Sequence, residues 1–395
     1  MTRNAAVTTV LPVYSRIDIV FDHGEGSWLF DTEGRRFLDF GTGIAVNSLG
    51  HAEPHLVEAL TQQAAKLWHV SNLYRIGEQE RLADRLVANS FGETVFFGNS
   101  GAEAMELCIK MARRYQWQRG QTERNRIITF EGCFHGRTMA SISAAGGAKM
   151  VDGFAPLLEG FDRVPFGDHD AVRNAVTEHT AAIMIEPIQG EGGIRPVPPQ
   201  CLEGLRELCD EHGLLLVFDE VQAGIGRTGK LFAYEHTNIA PDIMGLAKGL
   251  GGGFPIGAVV ASAKGASGMT ASTHGSTFGG NPLGCAVANA VLDVMLEDGF
   301  LTSVAVKSQR LLDALKRIVE LYPDVYQSVR GQGLLIGIRA AKPNADVVTA
   351  LRENGLLAVP AAENVVRLLP PLNVREDEID IAVDILDRVG TDLSR

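Results

Sequence analysis

The chain has 395 residues, 45% hydrophobic and 21% charged, and its 44 glycines predict many tight turns. This length is sufficient for one large domain or two ordinary ones. The formal net charge of −12 argues against nucleic acid or an anionic membrane as the main partner, although a local pocket can still bind a small anion.

The cysteines and the first residues indicate the compartment. The five cysteines are odd in number, widely spaced and without a Cys-x-x-Cys pair, a pattern that predicts free thiols in a reducing environment. The segment MTRNAAVTTVLPVY has no apolar core of a secretory signal, and no apolar run reaches the length of a membrane span. We therefore expect a cytoplasmic protein.

The predicted elements begin with a hairpin whose turn is Thr32-Glu33-Gly34, because apolar side chains flank that triplet on both sides. Strand-like and helix-like patterns alternate after it, and the apolar strands are TVFFG, RIITF, AAIMI and LLLVF. This alternation predicts an α/β fold with a mostly parallel sheet covered by helices on both faces. In such a sheet, ligands bind at the carboxyl ends of the strands.

The pattern changes near residue 300. A long helix is predicted in NPLGCAVANAVLDVMLEDG, where Asn281 caps it, Pro282 fits its first turn and Gly299 ends it. A helix over roughly 301–321, the strand-like GLLIGI and a last amphipathic helix then predict a smaller α/β unit. We predict three parts, listed in chain order: an N-terminal segment 1–60 that joins the small domain, a large domain 61–299 and a small C-terminal domain 300–395.

Two motifs are typical of other functions but lack features that those functions need. Gly224–Lys230, GIGRTGK, matches a nucleotide phosphate loop, but Leu231 replaces the hydroxyl that binds magnesium, and the loop follows its acidic strand instead of preceding it. We interpret it as a turn. His51 and His55 have the spacing of a metal pair, but Pro54 disfavours a continuous helix through them. We interpret these histidines as turn or surface residues and predict no metal site.

Lys248 is the only charged residue from Ile243 to Ala263. Desolvation disfavours the charged form of a buried lysine, and a neutral amine can form an imine with a carbonyl. Asp219 ends the apolar strand LLLVF, where a ligand of the sheet would lie. Each residue alone fits an ordinary role, a snorkelling lysine or a turn cap, but together they are the two groups that a pyridoxal phosphate enzyme needs.

The segment NSGAEA offers a phosphate site. Ser100 can cap the helix that follows, and Glu103 stands at the position of a capping box. The N–H groups of Gly101 and Ala102 are then free to bind an anion. An ordinary helix start explains this motif equally well when it is considered alone.

Several segments in order carry a resemblance to a known family: EGCFHGRT, EPIQGEGG, VFDEVQAGIGRTGK, GLAKGLGGGFPIGA and HGSTFGGNP. Together they resemble the class III (ω-amino acid) pyridoxal phosphate aminotransferases, and the resemblance covers nearly the whole chain. It implies fold type I, with a large cofactor-binding domain and a smaller α/β domain. It also implies a homodimer whose two subunits share each active site.

The resemblance assigns cofactor-binding roles. Lys248 would hold the aldehyde carbon of pyridoxal 5'-phosphate and later transfer a proton, while Asp219 would pair with the ring nitrogen. Phe134 would stack on the ring, and Gln222 would lie near the ring hydroxyl. The other implied cofactor-binding residues are Ser100, Gly101 and Ala102 at the phosphate, Glu220, Val221, and Thr277 from the neighbouring subunit.

The resemblance also assigns substrate-binding roles. Arg137 would bind the carboxylate that lies far from the reacting amine, because a guanidinium binds a carboxylate in a bidentate manner. Arg367 would bind the carboxylate beside the reacting carbon of 2-oxoglutarate. Glu191 would cover Arg367 during the first half-reaction, and Ser276 would lie close to the substrate.

Within the class, the motifs are most similar to those of enzymes that transfer the δ-amine of N-acetylornithine to 2-oxoglutarate in arginine biosynthesis. Ornithine δ-aminotransferases use a tyrosine in the segment corresponding to GTGIAVNSLGH to hold a free α-amino group, and this segment has none. The departure favours an acylated α-nitrogen, while the role of Tyr14 stays open. Succinylornithine, ornithine and other ω-amino acids are the alternative substrates.

Two further classes stay open at the level of sequence. A racemase or aminomutase of fold type I would share Lys248 and Asp219, and it would fail to make glutamate from 2-oxoglutarate. A nucleotide-binding protein would bind ATP without any visible chromophore.

Overall fold

A seven-stranded sheet forms the centre of the molecule in the computed structural model, which describes residues 9–395. Residues 1–8 of the predicted N-terminal segment lie outside the described part of the chain. In spatial order the strands are Thr94–Gly98, Gly257–Ala261, Ile243–Leu246, Leu215–Asp219, Thr180–Ile185, Arg126–Phe130 and Phe161–Val164. Gly257–Ala261 runs antiparallel to both neighbours, and the other strands run in one common direction.

Helices cover both faces of this sheet because successive side chains of a strand point to opposite sides. In Leu215–Asp219, one alternate set packs with the helix Gly101–Gln118, and the other set packs with the helix Pro199–His212. Gly213 follows the second helix with a left-handed φ of +65°, as its predicted role as a helix stop requires. The predicted mostly parallel α/β sheet is therefore confirmed.

A smaller sheet joins the two ends of the chain. The predicted hairpin is present and consists of the antiparallel strands Trp28–Asp31 and Arg36–Asp39. The strand Phe21–Glu25 pairs with its first strand, also antiparallel. The C-terminal strand Leu356–Leu357 pairs in parallel with Arg36–Asp39 and extends this sheet. This pairing brings the N-terminal segment together with the C-terminal part of the chain.

The C-terminal part has its own antiparallel sheet, in the spatial order Tyr326–Gln332, Leu335–Ala340, Val365–Leu368 and Val359–Ala361. Its helices are Phe300–Leu321, Asn344–Glu353 and Glu376–Leu393. The predicted helix over 301–321, the strand GLLIGI and the last amphipathic helix are all present. No helix within residues 9–395 combines the length and the hydropathy of a membrane span.

The division into domains stays a prediction, and one of its boundaries falls inside an element. The helix Pro54–Ala64 crosses the predicted limit at residue 60 and packs against the helix Pro282–Met295. The remaining helices are Thr42–Ala45, Gly77–Ala88, Met139–Ala145, Ala148–Val151, His169–Ala175 and Ala263–Ala266, with 3₁₀ turns at Ala233–His236 and Lys248–Gly251, and a short ladder joins Ile188–Gln189 to Arg195–Pro196.

Two local predictions need correction. The helix capped by Asn281 ends at Met295, and Gly299, with a φ of +85°, lies directly before the next helix instead of ending this one. The histidine His51 is not a free surface residue, because its ring hydrogen bonds to Asp39 at 2.8 Å and its side chain is only 15% exposed. Its neighbour His55 is exposed, as predicted.

Candidate active site

A cavity of about 410 Å³ opens where the carboxyl ends of the central strands meet. This edge is the expected ligand site of a parallel sheet, because the loops that follow neighbouring strands converge there. The predicted site residues that line the cavity are Ser100, Gly101, Ala102, Phe134, Arg137, Glu191, Asp219, Val221, Gln222 and Lys248. Segments that are distant in sequence thus meet in one place.

Lys248 enters the cavity from the turn that follows the strand Ile243–Leu246. Its backbone has a φ of +47°, a left-handed conformation that costs energy for a residue with a side chain. Burial and, second to it, the nearby charge of Arg367 lower the pKa of the Lys248 amine to about 8. The amine can therefore lose its proton and react near neutral pH.

Asp219 is 4% exposed and has two fixed partners at the end of its strand. Its Oδ2 hydrogen bonds to Nδ1 of His135 at 2.7 Å, and its Oδ1 accepts from the backbone N–H of Val221 at 3.0 Å. Burial lowers the pKa of His135, but Cys133 and the bond to Asp219 outweigh it, so the pKa lies well above its usual value. The imidazole is thus a charged hydrogen-bond partner of the Asp219 carboxylate.

Glu186 is a cavity residue that sequence reasoning missed. It directly follows the buried strand Thr180–Ile185, and Asp219 is the last residue of a neighbouring strand. The same signal, an acidic residue at a strand end, would have identified Glu186 in the sequence. Its carboxylate accepts from the N–H groups of Phe134 at 2.9 Å and Gly190 at 3.3 Å. Burial, with a contribution from Asp219, raises the pKa of Glu186 to about 7. It therefore joins two loops that face the cavity.

His135 and Asn99 also line the cavity and were not predicted. No local pattern distinguishes His135 from an ordinary core histidine, because its partner Asp219 lies in a different strand segment. Asn99 precedes the predicted phosphate site directly, and its side-chain amide donates to Oγ of Ser276 at 3.1 Å.

The start of the helix Gly101–Gln118 forms one wall of the cavity. Ser100 caps it by accepting from the N–H of Glu103 at 3.2 Å. The predicted capping box is only half present, because the Glu103 carboxylate accepts from the N–H of Asn99 and not from that of Ser100. The first N–H groups of a helix have no partner within it, so those of Gly101 and Ala102 are available to an anion in the cavity.

Arg367 lies directly behind the cavity wall in the strand Val365–Leu368. Its side chain is fully buried, and its Nη1 donates to Glu191 at 2.7 Å and to Gln222 at 2.9 Å. The side chain of Glu191 is 36% exposed, so one member of this ion pair can move while the other is fixed. The Nε and Nη2 atoms of Arg367 have no protein partner among the described residues.

Phe134 and Arg137 belong to the loop that follows the strand Arg126–Phe130. The Arg137 guanidinium lies 5.5 Å from the centre of the Phe134 ring, a cation–π contact. Because Arg137 is exposed and still lines the cavity, its charge lies at the entrance.

Besides Arg367, which lies behind the cavity wall, three more predicted site residues do not line the cavity of their own chain. The Glu220 carboxylate accepts from the N–H groups of Ala233 at 2.5 Å and Tyr234 at 2.8 Å, so it binds a neighbouring loop instead, and burial raises its pKa to about 8. Ser276 hydrogen bonds to Asn99, beside the cavity, and Thr277 is exposed. Tyr14 is 74% exposed and does not line the cavity either.

The residues present fit pyridoxal phosphate. The cavity contains a lysine amine that is neutral above about pH 8, a buried carboxylate with a charged partner and a helix N-terminus. The backbone is also close-packed around the phosphate site, because a Cβ on Gly257 would lie 2.3 Å from the carbonyl oxygen of Ser100. These groups suit, respectively, an aldehyde, a pyridine nitrogen and a phosphate.

Comparison with known protein sequences gives the family. Residues 11–389 match the model of the class-III aminotransferases. The acetylornithine aminotransferase of Mesorhizobium japonicum is 60% identical over 371 residues, which are 94% of this chain and 93% of the relative. The acetylornithine aminotransferase of Rhodobacter capsulatus is 58% identical and covers 98% of both chains.

Solved structures agree with this assignment. An N-acetylornithine aminotransferase from Stenotrophomonas maltophilia superposes with a TM-score of 0.85 and 39% identity, covering 96% of this chain and 97% of its own. The ornithine aminotransferase of Toxoplasma gondii has a TM-score of 0.94 and 31% identity, covering 98% and 93%. Another structure of the Toxoplasma enzyme contains pyridoxal phosphate at partial occupancy in its active site. The chain described here thus belongs to the class-III aminotransferases, the fold type I enzymes that move amino groups with the help of pyridoxal phosphate.

Proposed function

We propose that this aminotransferase transfers the δ-amine of N2-acetyl-L-ornithine to 2-oxoglutarate and thereby forms N-acetylglutamate 5-semialdehyde and L-glutamate in arginine biosynthesis. Both relatives named above are acetylornithine aminotransferases that match this chain over nearly their whole length, which supports this substrate. The observation that carries the proposal is the ion pair between the buried Arg367 and the half-exposed Glu191, beside the reactive amine of Lys248.

The ion pair matters because the enzyme must bind two substrates that carry their carboxylates at different distances from the reacting carbon. Arg367 is suited to the carboxylate of 2-oxoglutarate, which lies beside that carbon, because a guanidinium pairs with a carboxylate in a bidentate manner. When Glu191 covers Arg367, the site has no free cation there and disfavours α-amino acids. When Glu191 turns into solvent, the oxo acid binds.

Pyridoxal phosphate, when bound, supplies an aldehyde that reacts with amines and a ring that accepts electron density from the adjacent C–H bond. The chain supplies the groups around it. Lys248 would hold the aldehyde of the cofactor through its amine and would serve as the base that moves a proton of the substrate. Asp219, whose carboxylate is fixed by His135, would hold the ring nitrogen.

The other cavity residues bind and orient. Gly101 and Ala102 would donate their backbone N–H groups to the phosphate, and Ser100 fixes their direction by capping the helix. Phe134 would hold the ring, and its N–H donates to Glu186. Val221 and Gln222, which also line the cavity, would contact the cofactor as well.

Arg137 binds the distant carboxylate of the amine substrate from the cavity entrance. The segment 41–51 contains no tyrosine that would hold a free α-amino group, which supports a substrate with an acylated α-nitrogen. Ornithine stays the second candidate, since the Toxoplasma ornithine aminotransferase has a TM-score of 0.94. Succinylornithine differs from acetylornithine only in the acyl group and is tested alongside.

The assembly that we propose is a homodimer in the cytoplasm. Thr277 is exposed and lies outside the cavity of its own chain, so it is free to reach the phosphate in a neighbouring subunit. Exposed apolar side chains in the same region, among them Leu73, Tyr74 and Phe278, support a surface that is covered by a second copy.

The test is glutamate formation by the purified enzyme from 2-oxoglutarate, with N-acetylornithine, ornithine or succinylornithine as the amine donor. We expect the highest kcat/KM with N-acetylornithine and no turnover by Lys248→Ala. Lys316→Ala is the matched control, because Lys316 is a surface lysine with a side chain 61% exposed, and it should keep full activity. Preference for ornithine would refute the substrate, and absence of glutamate with every donor would refute the reaction.

A further inference from the structure

The glycine-rich segment Gly224–Lys230 contains a buried arginine that the proposed reaction does not use. Arg227 is 2% exposed, and no carboxylate of residues 9–395 forms an ion pair with it. Burial lowers its pKa to about 9, and its Nη2 atom has no hydrogen-bond partner among the described residues. Burial of a guanidinium without a carboxylate partner costs free energy of folding. The presence of Arg227 at this position therefore indicates a role that offsets this cost.

Arg227 joins the segment that carries Gln222 to the segment that carries Arg367. Its Nη1 donates to the carbonyl oxygen of Pro370 at 2.5 Å, three residues after Arg367. The same two segments meet a second time where Arg367 donates to Gln222 at 2.9 Å. The segment of Gln222 and the segment of Arg367 are therefore joined by two hydrogen bonds.

Arg227 also binds the C-terminal sheet. The same Nη1 donates to the carbonyl oxygen of Leu334 at 3.2 Å, and the N–H of Leu334 donates to the carbonyl oxygen of Arg227 at 2.9 Å. The segments that contain Thr228 and Gly333 pack without space for a side chain between them. A Cβ on Gly333 would lie 2.4 Å from backbone atoms of Thr228. Through these hydrogen bonds, Arg227 connects a loop of the large sheet with two segments of the C-terminal part, one at Leu334 and one at Pro370.

We propose that Arg227 is a positioning residue that holds the strand of Arg367 against the Gln222 segment and thereby sets the affinity of the enzyme for the carboxylate of the oxo acid. The proposal rests on the function proposed above, in which Arg367 binds that carboxylate. Arg227 does not touch the cavity, so it acts only through the place of Arg367.

The effect should be selective for one half-reaction. In a reaction with two half-reactions, each substrate meets its own form of the enzyme, and the kcat/KM of that substrate reports its half-reaction alone. A displaced Arg367 weakens binding of 2-oxoglutarate, whereas the amine donor binds while Glu191 still covers Arg367. A purely structural role would instead lower stability and affect both substrates alike.

The test compares Arg227→Met, Arg227→Lys and Arg206→Met in the holoenzyme. Methionine has a similar length without charge, and exchange of a buried unpaired charge for an apolar group should leave the fold intact. We expect Arg227→Met to raise the KM for 2-oxoglutarate about tenfold and to leave kcat/KM for the amine donor within about twofold of wild type. Arg227→Lys retains a donor for Pro370 and should recover part of the loss.

Arg206→Met is the control for loss of a largely buried arginine, whose side chain is 13% exposed. Its guanidinium pairs with Asp210 on its own helix and with Asp242 directly before the strand Ile243–Leu246. None of these three residues lines the cavity, so the variant should lower Tm without a selective change in either KM. An unchanged KM for 2-oxoglutarate in both Arg227 variants would overturn the proposal, as would a parallel loss for both substrates. If the wild-type enzyme forms no glutamate, the proposed function fails, and this outcome is separate from the first two.

Discussion

Lys248 carries an amine whose proton affinity depends on groups that are far away in the sequence. Burial is the main cause of its lowered pKa, and Arg367, in the C-terminal sheet, contributes in the same direction. Both effects make the neutral amine available near pH 8 rather than near 10.5, the ordinary value for lysine. The reactivity of this residue is therefore a product of packing.

The pH dependence of cofactor uptake checks this shift. With the lowered pKa, the neutral fraction of the amine passes its midpoint near pH 8 and approaches a plateau about one pH unit higher. We expect the rate at which cofactor-free protein takes up pyridoxal phosphate, followed by absorbance, to show this plateau. Lys248→Ala should give no borohydride-stable adduct at this position. A rate that still increases through pH 10 would show that the amine has the proton affinity of an ordinary lysine.

At the scale of elements, the helix Gly101–Gln118 combines a structural cap with an anion site. Ser100 fixes the first turn, and the direction of the free N–H groups follows from it. The helix His169–Ala175 offers a comparison, because Asp168 caps it by accepting from Ala171 at 2.8 Å and lies outside the cavity. Both side chains thus cap a helix through the N–H three residues on, but only the helix capped by Ser100 begins at the cavity.

Removal of either cap should lower stability, but only one removal should weaken cofactor binding. Ser100→Ala and Asp168→Ala should each cost about 1 kcal/mol of unfolding free energy, measured by urea denaturation of the cofactor-free protein. Titration with pyridoxal phosphate should give a raised Kd for Ser100→Ala and an unchanged Kd for Asp168→Ala. Equal Kd values for the two variants would show that the first turn does not bind the phosphate.

At the scale of the whole molecule, the exposed position of Thr277 leaves this residue available to a second copy of the chain. In the homodimer that we propose, each site combines Lys248 of one subunit with Thr277 of the other. Thr277→Asp would place a carboxylate beside the phosphate of the neighbouring subunit's site, and the two negative charges would repel each other. Because Thr277 is exposed, the substitution should not disturb the hydrophobic core. Neither the Lys248→Ala dimer nor the Thr277→Asp dimer should have appreciable activity.

A mixture of these two variants, unfolded and refolded together, should regain activity. One site of each hybrid dimer then contains both variant residues, and the other contains both wild-type residues. Refolding of each variant alone is the control and should give no gain. Lack of recovery in a mixture that size exclusion and mass spectrometry show to contain hybrids would mean that Thr277 serves its own chain.

Much of the fold follows from patterns that neighbouring residues create. Alternating apolar strands and amphipathic helices predicted the parallel sheet, and the stops and caps at Gly213, Asn281 and Ser100 depend on local backbone chemistry. The end of the strand LLLVF also located Asp219, because ligands of a parallel sheet bind at that edge, and Lys248 was located as the only charge in a glycine-rich segment. The end of the helix before Gly299 was wrong, since local signals leave helix ends uncertain by a few residues.

Tertiary packing decided which side chains face one another. Nothing near His135 in the sequence shows that it hydrogen bonds to Asp219, and nothing near Glu220 shows that its carboxylate turns to the N–H groups of Ala233 and Tyr234 instead of the cavity. Arg227 lay in a motif that was interpreted only as a turn. Side-chain direction, burial and proton affinity depend on segments that folding brings together from distant parts of the chain, so they exist only in the folded molecule.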